Sequence, residues 1–186
     1  MNSFAIALFL HIVGALGVSV ALGFEWIGLL RIRKATVSDE IRAILGIVKD
    51  TGRVGFFSML ATVITGIYMV LAAVGWVPWI LVVIGALILA MMVARVLTMP
   101  RMTTIGHALA SEKASVSQSL HNLINDPILW ISVQTRVAIV LGIIFLKIAT
   151  PGLGGSLLTI GAAIVLGLVS AFPMFRPVRV HEVRAD

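Results

Sequence analysis

The chain contains no cysteine. Disulfides, iron–sulfur clusters and thiolate metal sites are therefore excluded, and the redox compartment is left undetermined. Charge is scarce: 12% of the 186 residues are charged, about half the share of an average soluble domain. Acidic residues are the fewest, 8 Asp and Glu against 14 Lys and Arg, for a net charge of +6. There is no phosphate loop, no HExxH helix, no nucleophile elbow and no DNA-reading motif. The eight methionines are scattered and form no paired copper motif. The residues offer no catalytic constellation, and no enzyme activity is assigned from them.

Apolar sequence makes up most of the rest. Hydrophobic residues are 60% of the chain and the mean hydropathy is +1.11. A chain this apolar must place its surface in lipid, so the basic excess reads as Lys and Arg held at membrane faces rather than as a nucleic-acid footprint. A span needs roughly 20 apolar residues. Five stretches qualify, at about 4–30, 54–75, 79–98, 128–148 and 155–174. The first lacks a basic n-region and outruns a signal-peptide core, so it reads as a retained span. Gly75 to Pro78 and Pro151 to Gly155 are short turns between spans. The expected fold is all-α: a polytopic membrane helix bundle, with residues 1–186 forming a single transmembrane domain.

Orientation follows from the basic residues. Arg31, Arg33, Lys34, Arg42, Lys49 and Arg53 follow span one; Arg95, Arg101, Lys113 and Arg136 surround the loop after span three; Arg176, Arg179 and Arg184 follow span five. The opposite side holds Lys147 alone, so 13 of the 14 basic residues share one side. This places the N-terminus outside and the C-terminus in the cytoplasm, as in a multi-pass protein of the bacterial inner (plasma) membrane. Trp76 and Trp79 then mark the outer interface, and Trp26 and Trp130 the inner one.

Two cytoplasmic loops read as amphipathic helices. Residues 38–50 carry Ile41, Ile44, Leu45 and Val48 on one face, with Ser38 as N-cap. Residues 104–124 carry a weaker stripe of Ile105, Leu109, Val116, Leu120 and Leu123. Lying along the membrane surface is the expected role of both, ahead of docking a partner. Asp126–Pro127 reads as a helix start, Asp as cap and Pro at the first position.

Small residues four apart occur in every span. The rows are Ala15, Ser19 and Gly23; Ser58, Thr62 and Gly66; Ala86, Ala90 and Ala94; Gln134, Ala138 and Gly142; Ala163, Gly167 and Ala171. Such rows let helix backbones approach closely in lipid. They suit internal packing, and equally a homo-oligomer face or a face for a partner in a membrane complex.

The residues that bear chemistry lie in span one. His11 and Glu25 share a helix face, about 21 Å apart along the axis and about 40° apart in rotation. The opposite face is Phe9, Val13, Leu16, Val20, Phe24 and Ile27, which defines the lipid side. Ionisable groups inside a membrane are costly and mark sites. His11 is a candidate ligand, proton carrier or haem ligand; a neutral histidine bonded to a neighbouring helix is the plainer reading. Glu25 is a proton site or half of an ion pair. Arg53, which opens span two from the same side, is the preferred partner. Arg136 is the other candidate, or else it snorkels to the headgroups. His107, His121 and His181 match no metal spacing and read as solvated.

The segment LHIVG at 10–14 resembles a broad group of small bacterial membrane proteins whose first span carries an L-H-x-x-G signature. The group includes copper-resistance D-type proteins, haem-binding protoporphyrinogen-oxidase-like proteins and predicted membrane proteins of unknown function. TGIYMV at 65–70 resembles the Thr-Gly turn of their second span, and 126–157 resembles a block of uncharacterised members. The resemblance implies that His11 would be an axial haem ligand. The chain departs from the haem-binding members in having no matching Lys or second His at membrane depth, and dihaem cytochromes need four such histidines. The functions left to weigh are a small transport or permeation protein or membrane accessory protein with a polar intramembrane site; a single-histidine haem or redox protein; and a structural subunit of a larger complex.

Overall fold

A computed structural model describes residues 3–112 and 115–172, apart from the side chain of Val74. Lys113, Arg176, Arg179, His181 and Arg184 lie outside the described residues, as does the end of the fifth predicted span. The helices are α1 (Ser3–Ile32), α2 (Ser38–Met69), α3 (Pro78–Val93), α4 (Met99–Ser111), α5 (Gln118–Ile124), α6 (Pro127–Ala149) and α7 (Leu153–Ala171). Five helical stretches are long and apolar enough to cross a membrane: Ser3–Ile32, Ser38–Ala73, Pro78–Ser111, Gln118–Ala149 and Leu153–Ala171.

The two predicted loop helices are largely extensions of the spans, and only α5 stands apart. Residues 38–50 are the first turns of α2, which runs on without a break into the second span. Residues 104–111 continue the third span through a π turn at Ala94–Thr98. Pro100 accounts for that turn. It has no N–H to donate back up the helix, and its ring crowds the carbonyl four residues earlier. A π turn just before it absorbs the mismatch. At about 1.5 Å per residue both helices are longer than the roughly 30 Å apolar core of a bilayer, so each projects beyond it at one end.

The projecting ends form a head with a water-soluble type of core. Leu29 and Ile32 from α1, Ile41 from α2, Ile105 and Leu109 from α4, Leu120 and Ile124 from α5, and Leu129, Trp130 and Val133 from α6 pack together. The stripes of 38–50 and 104–124 therefore face the bundle's own end and not a membrane surface. Trp130 is wholly buried and donates its indole N–H to Ile124 O at 3.1 Å, so it is no interface anchor. Val37 pairs with Ser115 in an isolated β-bridge, and Ser38 Oγ donates to Ser115 O at 3.4 Å. Ser38 thus ties the two connections together instead of capping α2, whose N-cap is Val37. Asp126 does cap α6, accepting from Ile128 N at 2.8 Å.

Within the spans, α1 and α2 form one antiparallel pair, while α3, α6 and α7 form a second group. The α1–α2 seam is built on Ala7, Gly14, Ala21 and Gly28, which are all buried and seven residues apart. Seven is two helical turns, so the row stays on one side along the helix. A methyl placed at Gly28 would strike Val48 at 2.5 Å, one at Gly55 would meet the Ala21 methyl at 2.7 Å, and one at Gly14 would lie 2.8 Å from Ser58 O. The partners on α2 thus step back by about seven as α1 advances. The predicted row Ala15, Ser19 and Gly23 is not this seam. Ala15 is exposed, Gly23 has nothing within 4 Å of its absent side chain, and Ser19 bonds its own helix at Ala15 O. The other rows do meet neighbours: Gly66 lies against His11, Gly142 against Ala163, and Gly167 against Thr135, while Ala90 is buried in a cluster with Ile139 and Ile160. Phe9, Val13, Leu16, Val20, Phe24 and Ile27 are all exposed, as a lipid-facing side requires.

The seam and the predicted row separate cleanly in experiment. Gly14→Ala forces the α2 backbone away and lowers stability in detergent by about 1–3 kcal/mol. Gly23→Ala, which meets open space and gains helix propensity, is neutral or stabilising by up to about 1 kcal/mol. Thermal unfolding of the two variants measures both; equal effects would remove the seven-residue seam.

Candidate functional site

Glu25 and Arg136 meet between α1 and α6. Arg136 Nη2 lies 2.5 Å from Glu25 Oε1, and Nη1 lies 3.0 Å from Oε2. This is a two-pronged guanidinium–carboxylate pair, the geometry that fixes orientation as well as charge. The side chains are only 11% and 19% exposed. Among the described residues the Arg136 Nε, Thr135 Oγ1 and Trp26 Nε1 atoms beside this pair in sequence are buried without a protein partner. Helix α6 can carry Arg136 inward because its head-end half is covered on every side: Ser132, Val133, Gln134, Thr135 and Arg136 are all buried. Ser132 Oγ lies 2.9 Å from Thr98 Oγ1, a buried hydroxyl pair across to the π turn that no sequence pattern announces.

Arg53, the preferred partner in sequence, is elsewhere. It is 66% exposed and pairs with Asp50 at 3.1 Å on its own helix. Gly55 faces Ala21 in the seam, and Arg53 is about 200° around the helix from it, so its side chain leaves the bundle. Arg136, read as a residue that might snorkel, is the partner instead. It is held by the Glu25 carboxylate.

His11 faces α2. Its Nδ1 is 2.9 Å from Thr62 O, and this contact makes Nδ1 the protonated nitrogen and donor. Thr65 Oγ1 is 3.4 Å away, and Gly66 leaves the space that the ring fills, its absent methyl lying 3.0 Å from Cε1. The Thr65 hydroxyl donates to Ala61 O at 2.6 Å. His11 is thus bonded across the seam, and only Nε2 is left for any ligand. No group of three or more His, Cys, Asp or Glu comes together among the described residues. His121 is buried in the head, not solvated: Asn125 Nδ2 donates to its Nδ1 at 3.0 Å, and Arg33 Nε donates to Asn125 Oδ1 at 2.7 Å. Arg33 also lies over Trp130, 5.4 Å from the ring centre. Its burial pulls the guanidinium below its usual value, yet it stays protonated at neutral pH.

Comparison with protein-family models, curated proteins and solved structures finds no match to this chain. The site therefore rests on its geometry.

The pair divides the face of α1 that meets α6. Toward the head that face is covered: Leu29 is 0% and Leu22 8% exposed. Beyond Glu25 it is half-buried, at Val18, His11 and Phe4. On α6, Leu129, Val133 and Arg136 are buried, Val140 is half-buried, and Ile144 and Lys147 are exposed. Lys147 is about 20° around the helix from Arg136 and about 16 Å farther along.

Glu25→Gln leaves a buried guanidinium uncompensated and costs roughly 3 kcal/mol. Arg53→Gln breaks a solvent-exposed pair and costs less than about 0.5 kcal/mol. Chemical unfolding in mixed micelles measures the two; a larger loss from Arg53→Gln would reverse the assignment.

Proposed function

We propose that the chain is a small transport or accessory protein of the bacterial inner membrane, whose working site is the Glu25–Arg136 pair. The observation that supports this most is a two-pronged, largely buried ion pair joining two spans. Ionisable groups at such depth mark ion or proton pathways. With Lys and Arg kept on the cytoplasmic side, the head is cytoplasmic. The pair is well suited to gating. A proton delivered to Glu25, or an ion competing for either partner, removes the attraction that joins α1 to α6. The head would then serve as the cytoplasmic face on which any partner acts.

Stability and function need to be separated, because single substitutions leave one charge buried. The double variant Glu25→Gln with Arg136→Gln removes both charges and regains most of the lost stability. In proteoliposomes carrying a pH-sensitive dye, this variant loses proton-linked flux while it melts near the wild-type temperature. Undiminished flux in the double variant would make the pair a structural clamp and the protein a structural subunit.

A further inference from the structure

Exposed charge rings the bundle at one level. The seam sets the register of α1 against α2: Gly28 lies against Val48, and Gly55 against Ala21. At about 1.5 Å of rise per residue, Lys49, Asp50 and Arg53 therefore lie within about one turn of the level of Glu25. On the other side of the bundle, Thr98 and Ser132 meet through their hydroxyls. Counted away from the head, Arg95 and Arg136 follow that contact by three and four residues, so they share a level too. Lys49, Arg53 and Arg95 are all exposed. Arg53 pairs with Asp50 at 3.1 Å, with the two side chains 66% and 74% exposed. Arg95 Nη1 donates to Met99 Sδ at 3.3 Å, a weak acceptor.

This level is the edge of the membrane. A charge exposed on a span belongs among headgroups and not among acyl chains. Farther from the head, the described spans hold a single Lys, Arg, Asp or Glu, namely Lys147 near the opposite end of α6. The exposed side chains of α2 in that direction include Val54, Phe57, Leu60 and Ile64. The lengths agree. About 33 Å of α1 separates Glu25 from Ser3, and about 30 Å of helix separates Arg53 from Ala73. The apolar core of a bilayer is roughly 30 Å thick. In the other direction Leu29 and Ile32 enter the head core.

We propose that Lys49, Arg53 and Arg95 form a collar that binds the headgroups of anionic phospholipids at the head-side edge of the bilayer. Charge selects the class of lipid. Three outward cations at this level face one exposed carboxylate among the described residues, Asp50. An exposed pair such as Asp50–Arg53 has little net worth, so an anionic phosphodiester competes for Arg53. A zwitterionic headgroup brings its own cation and gains less. The collar sets how deep the bundle sits and holds the Glu25–Arg136 level at the headgroups. It lies on the outer surface and acts whether or not anything passes the pair.

The test uses the full chain in a neutral detergent, with phosphatidylglycerol or phosphatidylcholine added. Native mass spectrometry counts retained lipid, and thermal unfolding without lipid checks that each variant is folded. The unaltered chain is expected to retain phosphatidylglycerol in preference to phosphatidylcholine, and to release it as salt rises. Lys49→Gln, Arg53→Gln and Arg95→Gln each weaken retention by about fivefold, and the three together by about a hundredfold. Their melting temperatures stay at the unaltered value, because these side chains are exposed. Lys34→Gln, farther into the head, changes retention by less than about twofold. Equal retention of the two lipids, a triple variant that retains phosphatidylglycerol like the unaltered chain, or a Lys34→Gln loss as large as that of Arg53→Gln would each overturn the proposal. Retention is read without flux, so its failure leaves the transport reading standing.

Discussion

The ion pair between Glu25 and Arg136 is the constraint on which the arrangement of the spans depends. Two charges withdrawn from water are tolerated only when they face each other with good geometry. Here two hydrogen bonds, at 2.5 and 3.0 Å, join them. The pair connects α1, from the first helical hairpin, to α6, from the second group of helices. Below it the two groups are held together by the head core. Within the spans lipid offers no hydrophobic drive to join them, because apolar side chains gain nothing by leaving acyl chains for one another. A polar contact therefore does the joining there.

The head explains why the pair can sit where it does. Leu29, Leu129, Val133 and Trp130 pack just below it and exclude water from that side. Because α2 and the third helix project beyond the bilayer, this core can form as it does in a soluble domain, from apolar side chains that do lose contact with water. The protein thus uses two driving forces at two levels: hydrophobic burial in the head, and close backbone packing with polar contacts in the spans. Gly14, Gly28 and Gly55 serve the second by letting α1 and α2 run in contact along their length.

Much of this was legible in the sequence, and the reasons for the rest are physical. Span positions follow from hydropathy alone, and the Asp126–Pro127 start follows from local capping chemistry. The lipid side of α1 was equally clear, because six large apolar residues share one face. Partner choice was not. Arg53 and Arg136 are both basic residues near the correct depth, and only the rotational register of α2, set by Gly55 against Ala21, turns Arg53 away. The packing row was misread because four-residue spacing of small residues is common in membrane helices, whereas the seam follows a seven-residue spacing shared by two antiparallel helices. The loop stripes were legible as amphipathic, but whether an apolar face meets a membrane surface or a neighbouring helix depends on contacts between residues distant in sequence.

The central claim is that Glu25 and Arg136 join α1 to α6. A chain without cysteine accepts spin labels only where they are introduced. A pair placed at Phe24 and Val137 reads the level of the ion pair. Electron–electron distance measurements in nanodiscs should give a narrow separation for the unaltered chain and a longer, broader one when Glu25→Gln breaks the pair. A distance unmoved by Glu25→Gln would contradict the account.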